Sequence, residues 1–166
     1  MLKKFLLAVF SLTIFFTTTV FAELAKCPVY LDAAKNYILF ADLGGQGAGL
    51  YVDRKSVKVI QEDDGGCIIS IDEVQVPDAN MGKTKIANRF NHTYSYVYGK
   101  NVVMRFVPEA EKIKGLDRWV KVDPTITNPE DDNFTYDAKI AEAAYYLTYG
   151  KKFFGTFDDD FYKILK

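Results

Sequence analysis

Ser56-Val57-Lys58-Val59-Ile60-Gln61-Glu62, then Asp63-Asp64-Gly65-Gly66, then Cys67-Ile68-Ile69-Ser70-Ile71-Asp72-Glu73-Val74-Gln75-Val76: this stretch decides the fold. Val57 and Val59 alternate with Lys58 and Ile60, which is the two-residue period of a strand with one apolar face. The acidic and glycine residues that follow are a strong turn signal, because Asp hydrogen-bonds its own backbone and Gly accepts positive φ. Cys67 to Val76 is then a second strand, closed by Pro77-Asp78, and the two strands form a hairpin.

Working outward, the same grammar repeats. Tyr37 to Leu43 reads as a strand, apolar on both faces, for which a central position is expected. Gly44-Gly45-Gln46-Gly47-Ala48-Gly49 connects it to an extended Leu50 to Asp53. Pro28 to Ala34 has no assignable pattern, and Ala79 to Arg89 is a loop or short helix. Thr93 to Tyr98 alternates, with Tyr94, Tyr96 and Tyr98 on one side. Gly99-Lys100-Asn101 turns it into Val102 to Val107, and Trp119 to Val122 is a last short strand ended by Pro124. After a polar connection at Pro124 to Asn133, Tyr136, Ile140, Ala143, Ala144 and Leu147 share a helical face. Asp132, Asn133 or Thr135 can cap that helix, and Gly150 stops it beside Lys151 and Lys152. Thr156-Phe157-Asp158-Asp159 opens a short terminal helix. The expectation is an α+β fold: an antiparallel β-meander of about five or six strands, a packed C-terminal helix and a short terminal helix.

The chain has 166 residues and a net charge of −1. Met1 to Ala22 reads as a signal peptide: Lys3 and Lys4, an apolar run from Phe5, and Val20-Phe21-Ala22 as an A-x-A-like cleavage site. An uncleaved anchor is the competing reading, since about 20 apolar residues span a bilayer. Thr17-Thr18-Thr19 and the small residues Val20 and Ala22 favour cleavage near Ala22, with no stable membrane span afterwards. Lipidation at Cys27 is disfavoured by Lys26. Residues 23–166 then form a single domain in the periplasm, at the cell surface or released. Loss of two lysines makes the remainder more acidic, which argues against nucleic acid as a partner.

Export also shapes the reading of the cysteines. Cys27 and Cys67 are the two cysteines, and a disulfide between them is the simplest expectation in an oxidising compartment. It would close a loop of about 40 residues and add on the order of 3 to 4 kcal/mol. Two separate buried thiols are the alternative. With neither CxxC nor a cysteine-histidine cluster, redox chemistry and zinc have no support.

Other chemistry is thinly signalled. Gly44 to Gly49 precedes a strand and not a helix, so it does not make a phosphate-binding loop. The acidic clusters Glu62-Asp63-Asp64, Glu130-Asp131-Asp132 and Asp158-Asp159-Asp160 lack calcium-loop spacing. No metal and no cofactor are expected. His92 is the single histidine and reads as a residue at a strand start in Asn91-His92-Thr93. The remaining candidate is an interaction patch of Tyr94, Tyr96, Tyr98 and Arg105, whose alternative is that the rings pack under the helix.

Gly49-Leu50-Tyr51-Val52-Asp53-Arg54-Lys55-Ser56-Val57, with paired strands and Trp119-Val120-Lys121-Val122-Asp123-Pro124, resembles the small secreted bacterial proteins grouped as surface-adhesin protein E-like. In that family a tyrosine-x-aspartate-x-x-serine step opens the sheet and a tryptophan-proline segment closes it. The resemblance spans Tyr37 to Asn128. It implies an antiparallel sheet with a packed helix and, for some members, attachment to host matrix proteins. The leading functional expectation is a non-enzymatic exported binding or surface-interaction protein, adhesin-like, with envelope or host matrix proteins as partners and an exposed aromatic and basic patch. The alternative is a periplasmic inhibitor or accessory protein of a cell-wall enzyme, projecting a single loop such as Gly44 to Gly49. An enzyme comes third, and requires a pocket gathering carboxylates around His92.

Overall fold

The computed structural model describes residues 26–108, 118–125 and 136–166. The segment assigned to the signal peptide, the Glu130-Asp131-Asp132 cluster and the caps at Asp132, Asn133 and Thr135 lie outside the described residues.

The α+β meander is present. Six strands run in the order of the chain, each antiparallel to the next: β1 Tyr37–Asp42, β2 Gly49–Asp63, β3 Gly66–Val76, β4 Asn88–Val97, β5 Val102–Phe106 and β6 Trp119–Lys121. Helix α1 (Asp137–Tyr149) lies on one face and a short α2 (Asp159–Ile164) closes the description. Gly150 takes the left-handed conformation at φ 65°, and its N–H donates to the Tyr146 carbonyl at 2.8 Å, so the helix stops where the sequence expects. Asp158 caps α2 by accepting from the Phe161 N–H at 2.8 Å.

The helix-covered face carries the main core: Ile38 and Phe40 of β1, Leu50 and Val52 of β2, Cys67, Ile69 and Ile71 of β3, Tyr94 and Tyr96 of β4. These pack against Ala138, Ile140, Ala141 and Ala144 of α1, whose small side chains let the helix come close to the sheet. The opposite face holds a smaller core of Tyr51, Val74 and Val76 under Cys27 and Ala79, with Leu31, Leu39 and Ile86 at its margin. Among the described residues that cover lies over the β1–β3 half.

Two features depart from expectation. β1 is an edge strand and not central: apolar residues on both its faces report cover on both faces, which an edge strand also receives here. The unassigned segment after Cys27 lies along it, with Leu39 N–H donating to the Val29 carbonyl at 2.9 Å and Leu31 N–H to the Tyr37 carbonyl at 3.2 Å. That contact shields an otherwise open edge. Leu50 to Asp53 and Ser56 to Glu62 are one strand, β2, interrupted by irregular pairing between Asp53 and Lys58 and again between Val59 and Gln61.

Candidate functional site

Alternation along β4 sends His92, Tyr94 and Tyr96 under α1, and the structure thereby corrects the expected interaction patch. Tyr94 and Tyr96 are 0% and 1% exposed, and Arg105, opposite Tyr94 on β5, is also buried. Tyr94 donates its hydroxyl to Asp137 Oδ1 at 2.8 Å and Tyr96 to the Ala141 carbonyl at 2.7 Å, so both rings pin the helix to the sheet. Burial drives both phenols well above the ordinary tyrosine value. Tyr98 alone keeps partial exposure. It lines an open cleft of about 350 Å³ with Gly99, Asn101, Tyr145 and Phe153, and donates to Glu62 Oε1 at 3.4 Å.

His92 is in mid-strand, at the centre of a buried charged cluster that the sequence does not announce. Its Nε2 lies 2.9 Å from Glu73 Oε2 of β3, and its Nδ1 lies 4.0 Å from Asp137 Oδ1 at the start of α1. Arg105 Nη1 approaches Asp137 Oδ2 at 3.4 Å. Burial raises the Asp137 carboxyl above the ordinary aspartate value, with Arg105 and the Tyr94 hydroxyl pulling the other way. The cluster therefore gathers two carboxylates around the single histidine, one from β3 and one from α1, far apart in sequence.

The cysteines are not joined. Cys67 points to the helix-covered face and Cys27 lies on the opposite one, and both thiols are free and buried. The alternation of β3, with Cys67 on one face and Val74 and Val76 on the other, places the sheet itself between the two sulfurs, which is why the expected bridge does not form. Burial pushes the Cys27 thiol up to about 11, with the neighbouring Asp42 carboxylate adding to the effect. Gly44, Gly45 and Gln46 of the glycine loop are exposed, and its second half folds inward. Gly47, Ala48 and Gly49 are buried, and the Gly47 carbonyl receives the Asn80 N–H at 3.3 Å.

The Tyr51-x-Asp53-x-x-Ser56 step has a structural role. Asp53 pairs with Arg89 at 2.8 Å and accepts from the Lys55 N–H at 3.0 Å. Ser56 Oγ donates to the Asp53 carbonyl and accepts from the Asp72 N–H, both at 2.7 Å. The hydroxyl thus fills the gap that the irregular pairing opens between β2 and β3.

An aromatic and basic patch does exist, on other residues. Strand register puts Ile68 of β3, Thr93, Ser95 and Val97 of β4, Met104 and Phe106 of β5, and Trp119 and Lys121 of β6 on the face away from α1. Phe106 and Trp119 meet edge to face with ring centroids 5.3 Å apart, and the Arg118 guanidinium lies over the Phe106 ring at 5.6 Å. Phe106, Trp119 and Met104 are half-buried, Arg118 and Lys121 exposed. A shallow groove of about 180 Å³ between Gln61, Gly66, Ile68, Ser95 and Val97 continues this face toward the β2–β3 turn. The alternation of Met104 and Phe106 with Val103 and Arg105 was the available signal, but Arg105 marks the wrong side: it is buried against Asp137. Among the described residues no helix is long and apolar enough to cross a membrane. Compared with protein-family models, curated proteins and solved structures, the chain matches none of them.

Proposed function

We propose that this is an exported, non-enzymatic binding protein that presents the β5–β6 part of its sheet, on the face away from α1, to an acidic protein surface of the bacterial envelope or of the host matrix. The observation that carries this reading is the Phe106–Trp119 pair with Arg118 stacked upon it, set on a rigid sheet beside Met104 and Lys121. Trp, Phe, Met and Arg are side chains that interfaces favour, since each buries a large area. Arg118 and Lys121 lie exposed beside the apolar centre and would pair with carboxylates on the partner. The N-terminal segment Met1 to Ala22 supports export, and the surface-adhesin resemblance points to the same class of role.

The test is capture of envelope proteins and immobilised host matrix proteins by the folded protein. Phe106→Ser with Trp119→Ser should weaken capture by about tenfold or more. Arg118→Glu with Lys121→Glu should slow association and reduce its dependence on salt. Equal capture by the parent and the Phe106/Trp119 variant overturns the reading.

A further inference from the structure

We propose that Glu73, His92 and Asp137 form a proton-operated clamp that fixes the start of α1 to the sheet in mildly acidic surroundings. This goes beyond the binding role and does not depend on it. His92 is buried, so its ring is screened from bulk water. Nε2 already has a partner in Glu73 Oε2 at 2.9 Å, whereas Nδ1 is buried without a hydrogen bond and faces Asp137 Oδ1 at 4.0 Å. In the neutral tautomer that donates from Nε2, Nδ1 carries a lone pair, and it opposes a carboxylate oxygen across a gap too long for a hydrogen bond. Protonation converts Nδ1 into a donor. The ring then bridges the Glu73 carboxylate on β3 and the Asp137 carboxylate on α1 with two charge-assisted hydrogen bonds.

The charged groups facing the ring support this direction. From β3 comes Glu73, from β5 Arg105, from α1 Asp137, and from β4 the neutral Tyr94 hydroxyl, whose ring stacks on His92 at 6.2 Å and 13°. An imidazolium would stand between the Glu73 and Asp137 carboxyl groups, each placed to accept from one ring nitrogen. Histidine is the side chain whose charge ordinarily changes between about pH 5 and 8. Of its neighbours, arginine stays charged and the buried phenol stays neutral in that range. The Nδ1 hydrogen bond to Asp137 exists only while the ring carries its second proton, and it is lost when the ring is neutral.

The single histidine gives an imidazole NMR resonance that reports this group alone. Protection of the Ile140 and Ala141 amides, in the first hydrogen-bonded turn of α1, is the readout for the clamp. Protection factors should rise about tenfold from pH 8 to pH 5.5, with a midpoint coinciding with the His92 titration, and should be flat in His92→Gln. Flat protection in the parent overturns the proposal, as does a pH dependence retained in His92→Gln. If His92→Gln does not fold, the parent decides: an imidazole midpoint that does not coincide with the change in amide protection overturns it equally.

Discussion

Glu142 is the most buried acid among the described residues, with 0% exposure on α1. Its carboxylate accepts from the Phe153 N–H at 3.0 Å, the Phe154 N–H at 2.8 Å and the Tyr162 hydroxyl at 2.7 Å. One side chain thereby ties the segment after α1, and α2 with it, back onto the helix. Removing it takes the acceptor from one buried and two part-buried donors. Glu142→Ala should cost about 3 kcal/mol or more in urea unfolding, and Glu142→Gln less, because an amide oxygen still accepts. In sequence, Glu142 lies within the apolar spacing of Ile140, Ala143 and Ala144 and carries no sign of this role; its donors arrive from 11 to 20 residues downstream. Arg105 fails to announce itself for the same reason. A charge amid strand alternation reads as solvent-facing, and Asp137, 32 residues away, pairs with it in the buried position.

Elements were more legible than residues. The β2–β3 and β4–β5 hairpins, α1 and α2 follow from alternation, turn chemistry and helical spacing, all of which act within a few residues. What local pattern could not supply is how strands approach one another. Gly66 shows the difference: it belongs to the turn signal Asp63-Asp64-Gly65-Gly66, yet its need for glycine comes from β4. A Cβ on Gly66 would lie 2.1 Å from the Tyr96 carbonyl oxygen, a backbone atom that cannot move aside without shifting β4. Gly66→Ala should therefore destabilise by about 2 kcal/mol. Gly65→Ala, where the nearest atom is the Asp63 side-chain oxygen at 3.2 Å, should cost much less. Equal losses in chemical denaturation would show that turn conformation, and not strand approach, sets the requirement. In sequence the long β2 reads as two pieces, because Arg54 and Lys55 interrupt the alternation. The irregular pairing that absorbs them is held by Ser56 through a bond to Asp72, 16 residues on.

At the scale of the whole molecule, the two faces of the sheet are covered by different parts of the chain and should answer acid differently. The helix face carries the His92 cluster, where a second proton on the ring would add a hydrogen bond. The opposite face is covered near Cys27 by a segment clipped to Asp42: the Cys27 N–H donates to Asp42 Oδ2 at 2.8 Å, and the Gly44 N–H donates to Oδ1 at 2.9 Å. These bonds, the Cys27 N–H foremost, hold the Asp42 carboxyl below the ordinary aspartate value. A carboxylate whose folded value is depressed stabilises the fold above its unfolded value, about 3.9. That contribution fades as pH falls through the depressed value. Asp42→Asn should accordingly lower the urea midpoint at pH 7 and approach the parent below about pH 3. A constant difference between the two across that range would mean that the side chain acts through its shape and not its charge. The Cys27 clip and the helix clamp draw on carboxylates on opposite faces with no shared partner, so their effects in an Asp42→Asn/His92→Gln double variant should add.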